Sequence, residues 1–284
     1  ALTGRETDRW EEEKRRGITI DLGFTYFDLL DGSKAGIIDV PGHEKFIKNM
    51  LAGVVGMDLV LLVIAADEGI MPQTTEHLNI LNLLGVENGI VVMTKCDMAD
   101  EEWIGLVKDD IKENLKSTFL EGAKIVEVSS KTGSGIEKLK MEISNLAEKG
   151  VKERELNTIP RLPIDRAFSI TGFGTVITGT LISGILKKGD EVEIYPVNKL
   201  CKIRNIQVHS SDAEKAYAGQ RTAINLTNIK KTDIYRGCVI APVNSMKNTM
   251  MLDVKLNMLK STRRSVINRS RLHLYTGTSE ILTR

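Results

Sequence analysis

Through the first half of the chain, short apolar runs alternate with longer segments in which apolar positions recur every three or four residues. Runs at residues 18–29, 35–40, 59–66, 89–94 and 124–128 predict strands. Ile104, Val107, Ile111 and Leu115 fall at helical spacing, as do Ile136, Leu139, Ile143 and Leu146, so each segment has one apolar stripe to lay on a sheet. This alternation predicts an α/β domain over residues 1–150, with a mostly parallel sheet flanked by helices.

After the charged stretch at 148–155 the period shortens. Pro160 and Pro163 open a segment rich in Thr, Ile and Val, with apolar runs at 168–170, 175–182, 191–195, 199–208 and 221–226. Turns at 172–174, 188–190 and 218–219 separate them. Short strands at this spacing predict an antiparallel β-barrel over residues 160–243. Residues 247–284 are too few to bury a core unaided and are expected to be the start of a second β-barrel.

Composition narrows the functional classes. Thirty-nine basic against 38 acidic side chains give a formal charge of +1, which excludes a protein that coats nucleic acid by charge alone. Any RNA contact needs a local patch. Residues 255–284 offer one: Lys255, Lys260, Arg263, Arg264, Arg269, Arg271 and Arg284 against the single acid Glu280, which suits phosphate contacts or a solvated strand edge equally. The three cysteines form no C-x-x-C pair, a pattern that fits a reducing cytosol, and Cys96 reads as a small filler. His77, His209 and His273 lack metal spacing. The longest nearly apolar run, 59–66, is under half of the ~20 residues a membrane helix needs. With no leader at Ala1, a cytoplasmic location without membrane contact is expected, in a chain that starts within a longer protein.

The candidate chemistry lies where predicted strands end. The strand closing on Asp39 runs into Pro41, Gly42 and His43, bringing a carboxylate, a glycine amide and an imidazole to the ligand-binding edge of an open α/β sheet. There a carboxylate suits Mg²⁺ held through water, the amide suits a terminal phosphate, and the imidazole suits an attacking water; a plain turn is the alternative. Thr94, Lys95, Cys96 and Asp97 follow the next long strand, and Ser129, Ser130 and Lys131 the one after. The Asp97 carboxylate can accept both the N1 and N2 protons of guanine, a donor pair adenine lacks, which selects GTP over ATP. The Lys95 stem can lie along the base, and the Ser130 amide can donate to O6. Upstream, Thr19 follows a flexible polar approach at 7–16, too charged to be core, and can complete a Mg²⁺ shell that releases on hydrolysis; a surface loop is the alternative. A phosphate cradle G-x-x-x-x-G-K-[ST] occurs nowhere in the 284 residues, so it is expected upstream, within about 20 residues.

Several stretches carry a family resemblance: RGITIDLGF at 16–24, DVPGHEKFIKNM at 39–50 and MPQTTEH at 71–77. They resemble the translational GTPases related to elongation factor Tu. IDLGF at 20–24, Thr at position 94, LPIDRAF at 162–168, GFGTVITGT at 172–180 and AGQRTAIN at 218–225 are most similar to the bacterial selenocysteine-specific branch. The resemblance implies a GTPase that carries selenocysteinyl-tRNA to the ribosome, probing an mRNA hairpin through further C-terminal modules, and expected to be monomeric. By the same resemblance Thr19 and Asp39 are the Mg²⁺ switch residues, Gly42 senses the γ-phosphate and His43 positions water. Thr94, Lys95, Asp97, Ser129, Ser130 and Lys131 then hold the guanine of GTP or GDP.

A selenol ionises below neutral pH and a hydroxyl does not, so a cationic pocket can separate selenocysteine from serine. Arg166 and Arg221, with Asp165 and Phe24 as orienting or lining groups, are the candidates; surface arginines on a barrel are the alternative. Two other functions stay open at this point: a general aminoacyl-tRNA carrier or initiation-type GTPase, and a non-hydrolysing module that docks a partner on its barrel.

Overall fold

The computed structural model describes residues 1–7, 11–16, 19–54, 56–150, 154–259, 262 and 265–284. Gly17 and Ile18 of the 16–24 run, and Lys260, Arg263 and Arg264 of the basic stretch, lie outside the described residues. The chain forms two compact units, residues 1–47 with 57–153 and residues 48–56 with 154–284.

The first unit contains α1 (Glu11–Arg16), β1 (Gly23–Asp28) and β2 (Lys34–Asp39), and the chain then enters α2 (Ile47–Val54), whose residues from Lys48 onward group with the second unit. It resumes with β3 (Val60–Ala65), α3 (Pro72–Leu83), β4 (Gly89–Thr94), α4 (Glu101–Asn114), β5 (Ile125–Glu127) and α5 (Ile136–Gly150). The parallel sheet has the order β3-β4-β5. β4 reads Gly-Ile-Val-Val-Met-Thr, and its four central residues are all buried, as a strand covered on both faces requires. One face packs Leu62, Ile64, Val91 and Met93 against Leu78, Val107, Ile111 and Leu115 of the flanking helices. The other packs Ile90, Val92, Val126 and Val128 against Leu139 and Ile143 of α5. α4 starts where Asp100 caps it, its carboxylate accepting from the Trp103 amide at 2.8 Å, with Glu101 and Glu102 favourably placed at the positive end of the helix.

The expected parallel sheet is present in β3, β4 and β5, while the first two candidate strands lie outside it. β1 and β2 pair antiparallel in a sheet of their own, from Gly23 opposite Asp39 to Asp28 opposite Lys34. The Asp31, Gly32, Ser33 turn joins them as a hairpin: Gly32 has φ +81°, and the Asp31 carboxylate accepts from the Ser33 amide and hydroxyl at 2.8 and 2.7 Å. Apolar run length cannot distinguish a hairpin strand from a parallel one.

In the second unit the strands are β6 (Leu162–Ile170), β7 (Gly174–Thr180), β8 (Ile185–Lys187), β9 (Glu191–Tyr195), β10 (Lys199–Val208), β11 (Ser211–Ala213), β12 (Lys215–Tyr217), β13 (Arg221–Thr227), β14 (Val239–Pro242), β15 (Leu272–Thr276) and β16 (Ser279–Thr283). Six of them, in the order β10-β13-β7-β6-β14-β9, close into an antiparallel barrel because β9 also pairs with β10. Leu162, Ile164, Ile177, Ile194, Ile206 and Ile224 fill its interior with almost no exposure. Closure removes the unpaired edges that an open sheet would leave. Beyond Pro242, the described residues form one hairpin, β15–β16. Leu252, Val254, Leu256 and Met258 alternate with polar side chains and are exposed.

Candidate functional site

β2 carries Asp39 to the end of its ladder, where Oδ2 accepts from the Thr7 hydroxyl at 2.8 Å. Pro41 is buried, and Gly42 beyond it is exposed, with nothing within 4 Å of where a side chain would stand. His43 is half-buried; its Nδ1 accepts from the Lys45 amide at 3.3 Å and its ring sits edge-on to Phe46 with centroids 6.0 Å apart. With Nδ1 as acceptor, the neutral ring carries its proton on Nε2.

Thr19 is half-buried. The expectation that 7–16 is a flexible approach too charged for the interior fails at Glu13, which is 2% exposed and accepts from the Ile20 and Asp21 amides, both at 3.0 Å. A buried carboxylate is tolerable when backbone donors satisfy it, and here it ties α1 to the segment carrying Thr19.

The parallel register sets Ala65 beside Thr94 and Met93 beside Glu127, so the loops after β3, β4 and β5 emerge together at one edge. The Cys96 amide donates to Val128 O at 3.3 Å, linking the second loop to the third. Lys95 takes a left-handed backbone, φ +58°, which lifts the chain into the short helical turn holding Asp97. The nearby Ser129 side chain, then a backbone amide and the charge of Lys131, lower the Asp97 carboxyl below the usual carboxylate range. Ser129 is buried, and its own oxygen accepts from the Thr132 amide at 3.1 Å; Ser130 and Lys131 are exposed. Lys95 donates to Asp67 at 2.9 Å and Glu68 at 3.1 Å, and this pairing raises its pKa. Cys96 donates its thiol to Met93 O at 3.2 Å, as a small filler would.

In the barrel, Arg221 at the start of β13 is bidentate on Asp165 of β6, with Nη1–Oδ2 at 2.6 Å and Nη2–Oδ1 at 3.3 Å. The Thr178 hydroxyl donates to the same carboxylate at 2.7 Å. Asp165 is the extra residue of a bulge, since Ile164 pairs with Gly179 and Arg166 with Thr178. Arg166, half-buried, is therefore its chain neighbour on the bulged strand. Phe24 lies on β1 opposite Ile38, in the first unit. Among the described residues no three metal-ligating side chains cluster, and no helix is long and apolar enough to cross a membrane.

Residues 2–149 match the model of the elongation factor Tu GTP-binding domain, and residues 174–241 that of elongation factor Tu domain 2. The chain belongs to the elongation factor Tu GTP-binding domain family. Within this family it is 48% identical, over its full length, to a selenocysteine-specific elongation factor of Desulfomicrobium baculatum, of which it covers 45%. A crystal structure of a bacterial selenocysteine-specific elongation factor superposes with TM-score 0.88 at 36% identity, covering 99% of this chain and 47% of that one. The translation elongation factor SelB of Methanococcus maripaludis, in complex with the GTP analogue GppNHp, gives 0.84 at 32% identity over 93% of this chain and 58% of that one. The chain thus spans about half the length of the relatives it matches.

For a member of the elongation factor Tu family, the sequence reading overlooked Asp67 and Glu68. Their signal was available: they directly follow a predicted strand, and parallel neighbours bring such residues to the same edge. Glu13 and Thr178 were also missed, because neither a buried acid nor a hydroxyl one strand away leaves a local pattern.

Proposed function

We propose that this chain contains the nucleotide-sensing and cargo-recognising parts of a selenocysteine-specific translation elongation factor, a cytoplasmic GTPase that delivers selenocysteinyl-tRNA to the ribosome. The observation that carries the reading is the convergence of the Asp97 and Ser129 loops at one sheet edge, tied together by the Cys96 amide on Val128 O. An ionised carboxylate in a fixed loop is what the N1 and N2 donors of guanine require. Thr94 braces the loop, its hydroxyl donating to Ile64 O at 3.4 Å. Ser130 and Lys131 would complete the base site.

On the phosphate side, Asp39 and Thr19 would hold Mg²⁺. Their hard oxygen donors fit that ion, which keeps much of its shell as water and phosphate and does not need a cluster of three protein ligands. When bound, Mg²⁺ neutralises charge on the terminal phosphates. Gly42, with open space around it, would approach the γ-phosphate, and His43 would orient water through Nε2. The cradle for the β-phosphate is expected from residues outside this sequence. Val63, mid-strand in β3 yet 59% exposed, supports further chain over that part of the sheet.

The barrel would receive the aminoacyl end, with Asp165 aiming Arg221 and Arg166 adding positive charge against a selenolate. Domain assignments follow the same reading: a GTP-binding domain over 1–150, a barrel over 160–243 and part of a second barrel over 247–284. Contact with the ribosome, and with an mRNA hairpin through further modules, belongs to the whole protein, expected to act as a monomer. The test is protection of aminoacyl-tRNA from hydrolysis by the full-length protein. Selenocysteinyl-tRNA should be protected with GTP and much less with GDP, and seryl-tRNA in neither state; equal protection of both tRNAs would refute the cargo assignment.

A further inference from the structure

We propose that Asp67 and Glu68 are positioning residues for guanine-nucleotide binding: by fixing the ammonium of Lys95, they stretch its four-carbon stem along the sheet edge as an apolar rail for the flat face of the purine. The proposal rests on the reading of Lys95 and Asp97 as base-holding groups.

The geometry comes from strand register. Because Ala65 pairs with Thr94 and the Ala66 amide donates to Thr94 O at 2.8 Å, the turn after β3 is fixed beside the turn after β4. That turn is itself rigid. The amides of Glu68 and Gly69 both donate to Ala65 O, at 3.1 and 2.9 Å, and the Trp103 indole donates to Ala66 O at 2.8 Å. The backbone that carries the two acids is thus held in place while the left-handed backbone of Lys95 starts its side chain from a defined direction. Both ends of the stem are set, at the α-carbon and at an ammonium 2.9 and 3.1 Å from its acids. The side chain is still 43% exposed, so a ring can reach it.

A lysine left free loses rotamer entropy when a ligand pins it, and that loss weakens binding; a lysine already pinned has none to lose. The methylene stem presents apolar surface whatever the ammonium does. A rail of this kind would feel the ring and not the exocyclic groups, which fall to Asp97. A plain charge effect has the opposite sign, because removing two negative charges beside an anionic nucleotide would tighten binding.

The experiment uses the full-length protein, with affinities for GDP and IDP measured by competition against a fluorescent GDP. For the double variant Asp67→Asn/Glu68→Gln, both dissociation constants should rise together, about fivefold, as expected for a half-exposed ion pair. Their ratio should stay at the wild-type value, and in a Lys95→Met background the two acid substitutions should have no further effect. Unchanged or tighter GDP binding, or an undiminished loss in the Lys95→Met background, would overturn the proposal while leaving the base site intact. A wild-type protein that does not prefer guanine nucleotides would instead remove the underlying reading.

Discussion

Arg221 and Asp165 are joined through both guanidinium terminal nitrogens, and Thr178 donates to the same carboxylate. Only 7% of the Asp165 side chain is exposed, so these partners stand where water would otherwise hydrogen-bond it. Replacing Arg221 by Ala should cost about 2–4 kcal/mol in urea denaturation, because it strands a buried carboxylate. The Arg221→Ala/Asp165→Ala double variant should cost less than the sum of the two singles. In tRNA binding, Arg221→Ala should abolish the preference for selenocysteinyl- over seryl-tRNA.

Gly135 closes the loop that positions Ser129. Its φ is +75°, and an added Cβ would stand 2.0 Å from Glu127 O, a backbone atom that cannot move aside. Gly135→Ala should therefore cost about 2 kcal/mol or more and weaken guanine-nucleotide binding as the loop shifts. Gly133→Ala is the comparison, since its Cβ would meet nothing within 4 Å; it carries only the penalty of its own positive φ.

Asp97 has its folded pKa depressed, first by the Ser129 side chain, then by a backbone amide and by the charge of Lys131. A depressed carboxyl pKa favours the native state above the unfolded value near 3.9, and that contribution is lost as pH falls through the folded value. Titration of this group should thus leave nucleotide binding flat between about pH 8 and 5. In Ser129→Ala the Asp97 pKa, followed by NMR, should move up toward the ordinary carboxylate value.

Burial raises all three thiols, and that of Cys201 to about 12. At pH 8 the thiolate fraction at Cys201 is then about a thousandfold below that of a free cysteine. Alkylation should be slow in the native protein and fast in urea, with Cys201 among the slowest sites.

Elements with strong periodicity were legible from sequence: residues 89–94 form β4, and the stripes from Ile104 and Ile136 lie on α4 and α5. The loops bearing Thr94 and Ser129 follow from strand ends, because parallel topology makes chain order and spatial order agree. Three features resisted. The β1–β2 hairpin looks like any other pair of apolar runs until its register is known. Glu13 is buried because two amides satisfy it, which no composition rule anticipates. Arg221 looked like an available cation, but its carboxylate partner lies 56 positions away, and only the bulge at Asp165 brings them together.

The central claim is that the Asp97 edge reads guanine. It is tested most directly by isothermal titration of the full-length protein with GDP, ADP and XDP, before and after Asp97→Asn. The account predicts GDP binding well above ADP in the wild type, and in the variant a switch of preference to XDP, whose O2 accepts where guanine donates. Equal affinity for GDP and ADP, or a variant that keeps its GDP preference, would contradict it.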